Sequence, residues 1–200
     1  MNFRNALRSL VAASTFAVTA YAAATPTLLV DANGILTGAN GVTVSGKLYD
    51  VTFADTSCNA LFNGCSVSAF TFTDFSAAMV GAQALLDQVF NDGAAGQFDS
   101  LPNKTFGCSL DFLCVTNLPY GLYTSGWMGL GVVNFAPAYG SDYVGTTNDA
   151  AATDFTTSTA YNFAIFKPSA PAAAAVPEPG SLALMGLAIA GLAFTRRRKA

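Results

Sequence analysis

Two hundred residues suit one ordinary domain with appendages, and their net charge of −3 hides an internal asymmetry. Across residues 25–176 only Lys47, Lys104 and Lys167 stand against eleven aspartates, a formal −8 for that body. The chain has no histidine and the body no arginine, which excludes Ser-His-Asp and Cys-His nucleophile activation, imidazole metal centres and bidentate anion clamps, and makes nucleic acid a poor partner.

The amino end reads as a signal peptide spanning 1–24. Arg4 and Arg8 form a positive n-region, residues 10–20 ("LVAASTFAVTA") are apolar, and small residues follow at Ala20, Ala22 and Ala24. Cleavage is expected after Ala22 or Ala24, and Pro26 discourages a helix from continuing past that point.

The exported body is expected to span 25–167. "TLLV" (27–30) reads as a short strand and "DANG" (31–34) as its turn. In "GVTVSGKLYDVTFAD", Val42 and Val44 alternate with Thr43, Ser45-Gly46 turns the chain, and Tyr49, Val51 and Phe53 share one face. Period-two patterning around a two-residue turn predicts a β-hairpin. Cys58 and Cys65 follow, then "SAFTFTD" (68–74), whose Phe70 and Phe72 repeat the strand alternation.

A helix is predicted over about 75–91, capped by Asp74 and stopped by Asn91-Asp92-Gly93. Phe75, Met79, Ala82, Leu86 and Val89 make its apolar stripe, with Ser76, Gln83, Asp87 and Asn91 on the opposite side. The stretch from Gly93 to Cys114 reads as loop, pinned by Cys108 and Cys114. "GWMGLGVVNFAP" (126–137) fits either a glycine-rich strand or a bend, "SDYVGTTNDAAATD" (141–154) an exposed loop, and "AYNFAIFKP" (160–168) a final strand.

These elements predict a β-rich α+β domain, an antiparallel sheet or sandwich-like arrangement with one principal helix. The even cysteine count in an exported chain favours disulfides. Four cysteines permit three connectivities, of which the local one, Cys58 with Cys65 and Cys108 with Cys114, is the expectation. Their spacing is too long for the usual zinc knuckle.

Residues 168–176 form a Pro/Ala linker, and 177–200 a tail. Pro177-Glu178-Pro179 precedes an apolar helix predicted over 181–195, and Arg196, Arg197, Arg198 and Lys199 follow. The uncharged run 181–194 would rise roughly 21 Å as a helix, short of the ~30 Å hydrocarbon core. The terminal cations resist crossing and hold the body on the opposite side of the membrane.

Those three ordered parts resemble the PEP-CTERM sorting signal of Gram-negative bacteria. The resemblance implies a transient inner-membrane anchor, processing near the PEP motif by an exosortase-type enzyme, and export by bacteria that build an exopolysaccharide matrix. No catalytic residue and no cofactor are expected, with calcium the one metal entertained, at Asp31-Asn33-Gly34, at Asn91-Asp92-Gly93, or at Asn148-Asp149 with Asp154. The expected function is thus a non-enzymatic exported protein of the cell surface or matrix, with exopolysaccharide as the further partner. The alternatives are an aspartate-based carbohydrate-active hydrolase and a calcium-stabilised adhesin.

Overall fold

Local side chains and backbone freedom make the first turns. Asp31 accepts hydrogen bonds from the N–H groups of Asn33 (2.8 Å) and Ile35 (2.9 Å), and Gly34 takes φ +76°. This closes strand β1 (Thr27–Val30) onto β2 (Leu36–Val44). Ser45 and Gly46, at φ +49° and +75°, form the mirror-image turn that matches strand twist and leads into β3 (Lys47–Ala54). The computed structural model describes residues 25–170. The signal peptide (1–24), most of the linker (171–176), the Pro177-Glu178-Pro179 motif, the apolar helix (181–195) and the basic cluster Arg196, Arg197, Arg198 and Lys199 lie outside the described residues.

After β3 come a one-turn helix α1 (Cys58–Leu61) and the principal helix α2 (Phe75–Gln88). A small ladder follows, β4 (Asp92–Gly93) with β5 (Gly96–Gln97). Strands β6 (Leu113–Tyr123), β7 (Gly126–Phe135), β8 (Tyr143–Ala150) and β9 (Tyr161–Pro168) complete the fold. The large sheet has the order β1-β2-β3-β9-β6-β7-β8. Two three-stranded meanders are joined through the last strand, which lies antiparallel to β3 and parallel to β6. The expectation of a β-rich α+β domain with one principal helix holds. An all-antiparallel sheet or a sandwich does not: the sheet is mixed, because residues 151–160 carry the chain back to the pole where β6 starts before β9 begins.

Alternate residues of β9 divide the interior. Ala164 and Phe166 face the main core with α2, Val42, Val51, Phe53, Leu118 and Leu130, all buried. Phe163 faces a smaller aromatic layer on the other side, with Phe62, Phe70, Trp127 and Phe155.

Asp74 caps α2 as expected, accepting from Ala77 N–H at 2.9 Å. The buried face, however, is Ala78, Gly81, Ala82, Leu85 and Val89, while the predicted stripe residue Phe75 is exposed. Small residues win that face because the segment before the helix folds back under it: a Cβ on Gly81 would stand 2.7 Å from the Phe72 ring and 3.4 Å from Leu118 of β6. The helix also ends at Gln88, before Asn91-Asp92-Gly93. Gln88 turns back to the free edge of β2, bonding Thr43 N–H and C=O at 2.9 Å each.

Three further expectations change. Residues 68–74 form no strand: Val67–Ala69 is a 3₁₀ turn, and Phe70 and Phe72 alternate because each fills a different core. The loop expected over 141–154 contains edge strand β8, polar because only one of its edges is paired. The segment up to Cys114 runs into β6, which starts at Leu113. The ambiguous segment from Gly126 is strand β7, whose glycines give room to Trp127: a Cβ on Gly129 would come within 2.8 Å of that indole ring.

Candidate functional site

The four cysteines pair locally, Cys58 with Cys65 and Cys108 with Cys114. The first bond holds α1 over the aromatic layer, with Cys58 and Cys65 both buried. The second ties the 108–112 loop to the start of β6. Both are structural in this setting, and no free cysteine remains among the described residues.

The aspartates singled out for calcium are engaged by their own turns. Asp31 closes the β1–β2 turn as above. Asp92 accepts from the N–H groups of Asp99 (3.1 Å) and Ser100 (3.0 Å) and from the Ser100 hydroxyl. Asp149 accepts from Ala150 N–H and the Thr153 hydroxyl, both at 2.7 Å, and Asp154 caps a 3₁₀ turn through Thr156 N–H at 3.0 Å. Among the described residues no three His, Cys, Asp or Glu side chains gather around a common point. A cleft of about 840 Å³ between β1 and the end of α2 is lined by Leu28, Thr43, Gln88 and the 91–96 segment, with Asp87 and Asp92 as its ionisable groups among the described residues.

One acidic contact was not foreseen. Asp99, just after β5, and Asp142, just before β8, lie close enough for each carboxyl to influence the other. Burial pushes Asp99 above the usual aspartate range, and repulsion from Asp92 adds to it. Burial likewise raises Asp142, against the opposing hydrogen bond from Phe135 N–H at 2.7 Å. The loop bearing Asp99 is pinned twice. Asn134, fully buried, donates to Phe98 C=O at 2.8 Å, and Asp92 holds the next two N–H groups. Nothing in the sequence brings positions 99 and 142 together. Their meeting depends on tertiary placement of two loops.

Two exposed tyrosines stand at the same end of the sheet. Tyr139, 64% exposed, leans on half-buried Phe112 with ring centres 5.3 Å apart. Tyr143, 53% exposed, lies 6.4 Å from half-buried Phe135. These rings occupy the pole where β6 and β8 begin and β7 ends. Because β9 is parallel to β6, it also begins at this pole and leaves at the other. There Ser169 N–H donates to Leu48 C=O at 2.9 Å as the chain departs toward the linker.

The carboxyls give stability an acid optimum. Asp99, Asp142 and Asp55 are raised above the ordinary 3.8, Asp55 by burial and then by Asp154. The folded chain therefore binds those protons more tightly, and their penalty is relieved as pH falls from neutrality. Asp31 is lowered chiefly by Ile35 N–H and Asp92 chiefly by the Ser100 hydroxyl. Their stabilisation is present above 3.8 and disappears as pH falls further. Melting temperature should rise as pH falls through the raised titrations of Asp99, Asp142 and Asp55, and then drop as pH falls below 3.8 through the lowered titrations of Asp31 and Asp92. A steady fall from pH 7 downward would contradict these assignments.

Comparison with known proteins bears on the tail alone. No curated protein and no solved structure matches the chain. Residues 175–199, which include Pro177-Glu178-Pro179 and the four terminal cations, match the PEP-CTERM protein-sorting motif. By that match the chain carries a PEP-CTERM signal at its C-terminal end, the mark of an exported protein sorted by exosortase through a membrane-anchoring tail.

Proposed function

We propose that the protein is a non-enzymatic component of the cell surface or extracellular exopolysaccharide matrix, to which its tail delivers the folded body. The carrying observation is the sorting motif at 175–199. The body supports the reading with two disulfides, suited to an oxidising compartment, and with an acidic surface poor in activating side chains. The membrane is a transient host: a run short of the bilayer core, stopped by four cations, holds the chain while the processing enzyme engages the flanking prolines.

The hydrolase alternative finds little support in the Asp99–Asp142 contact. The body offers no glutamate or histidine beside those aspartates to share acid and base roles. A calcium-stabilised adhesin would have to compete with the backbone donors that already occupy Asp31, Asp92 and Asp154.

Replacing Pro177, Glu178 and Pro179 together by alanine tests the reading. The variant should accumulate in the membrane fraction at full length, while the native sequence is released. Equal release of both would remove the PEP motif from the route.

A further inference from the structure

We infer that the free edge of β8 is an assembly surface, on which a second copy of this chain docks its own β8 antiparallel and extends the sheet. The inference is independent of where the tail delivers the body. β8 pairs with β7 without a break in register, from Val133 with Tyr143 to Gly126 with Ala150. Its other side meets no strand, because β8 ends the sheet. Only the last residue is closed off: Ala150 N–H donates to the Asp149 carboxylate, and Ala150 C=O accepts from Thr153 N–H at 3.0 Å. From Tyr143 to Asp149 the outward N–H and C=O groups have no partner among the described residues. Such a row accepts another strand unless lysine, proline or a bulge blunts it, and residues 143–150 contain none of these.

The opposite edge of the sheet is blunted. β1 has four residues, follows Pro26 and breaks register between Leu29 and Val30. Beyond its reach along β2, the Gln88 amide occupies both backbone groups of Thr43 at 2.9 Å each. One open and one blocked edge per molecule give a closed pair rather than a fibre.

The strand is suited to meeting itself. A two-fold axis at Thr147 sets Thr147 against its own copy, Thr146 against Asn148 and Gly145 against Asp149. No aspartate stands opposite another. The carboxylates along this edge are turned into their own loops: Asp149 to Ala150 N–H and the Thr153 hydroxyl, Asp142 to Phe135 N–H, and Asp154 to Thr156 N–H. The edge therefore offers little to a basic peptide, while its threonines and asparagine match their own kind. The lysines lie elsewhere, Lys47 on β3, Lys104 in the 102–104 turn and Lys167 on β9. What opposes pairing is the general repulsion of two acidic bodies, which salt screens.

Light scattering from the full-length chain in detergent micelles tests the surface. Protein mass should pass from one chain to two as concentration rises, and earlier in about 0.15 M salt than at low ionic strength. Thr147→Lys sets like charges face to face and should raise the concentration of that transition about tenfold, with native circular dichroism retained. Thr147→Cys should cross-link two copies under oxidation, whereas Val80→Cys, exposed on α2, should not. A single-chain mass at every concentration would overturn the assembly. A two-chain mass that Thr147→Lys leaves unchanged, or cross-linking through Val80→Cys in place of Thr147→Cys, would overturn this surface. Masses that grow beyond two chains would contradict the blocked second edge. None of these outcomes bears on the sorting route.

Discussion

Trp127→Ala is expected to cost about 3–5 kcal/mol, a large part of the roughly 5–15 kcal/mol that holds an ordinary domain folded. Trp127 is 1% exposed and packs edge-on against Phe163 with ring centres 5.3 Å apart. Strand β7 gives up a side chain at Gly129 to receive the ring, so no neighbouring side chain there can fill the space left behind. The indole N–H is buried with no hydrogen-bond partner among the described residues. Its contribution is therefore packing, and Trp127→Phe should lose much less than Trp127→Ala. Urea unfolding of the two variants measures the difference. A loss below about 1 kcal/mol for alanine would mean that the aromatic layer is not packed as described.

Removing the Cys58–Cys65 bond by paired alanine substitution should cost about 2.5 kcal/mol from loop-closure entropy alone. The real loss should exceed that of the Cys108–Cys114 pair, although the two loops are nearly equal in length, with separations of 7 and 6. The difference lies in where each bond sits. Cys58 and Cys65 are buried among Phe62, Phe70 and Phe163, so releasing them lets α1 lift from the sheet and wets the layer. Cys108 and Cys114 are buried as well but belong to neither core layer, and they fasten a loop to the start of β6. Because the Trp127 and Cys58–Cys65 changes open the same layer, their combined cost should fall short of the sum. Full additivity in urea titrations would separate the two and contradict a shared layer.

What the sequence made legible follows from where information is local. The β2–β3 hairpin was readable because Ser45-Gly46 and the flanking alternation act within a dozen residues. The Asp74 cap and the cysteine pairs were likewise local, and the tail carries its meaning in three consecutive parts. Errors came where packing partners decide. Phe70 and Phe72 alternate as a strand would, yet each serves a different layer. The helix stripe holds at Ala82 and Val89, which are buried, and at Met79 and Leu86, which pack against the core, and fails at exposed Phe75, while Gly81, silent in a hydrophobic pattern, lies against Phe72. Edge strand β8 was too polar to be recognised from periodicity. The approach of Asp99 to Asp142 is not legible in the sequence, since only the assembled sheet brings the two loops together.

Intact mass of the protein recovered from culture medium, beside that of the membrane-bound form, tests the sorting route most directly. The released form should lack both the leader and the apolar run with Arg196, Arg197, Arg198 and Lys199, and should be lighter by four hydrogens for its two disulfides. The membrane-bound precursor should still carry the tail. Released protein that retains its terminal cations would show that export proceeds without cutting near Pro177-Glu178-Pro179, and the delivery of this body by its tail would be refuted.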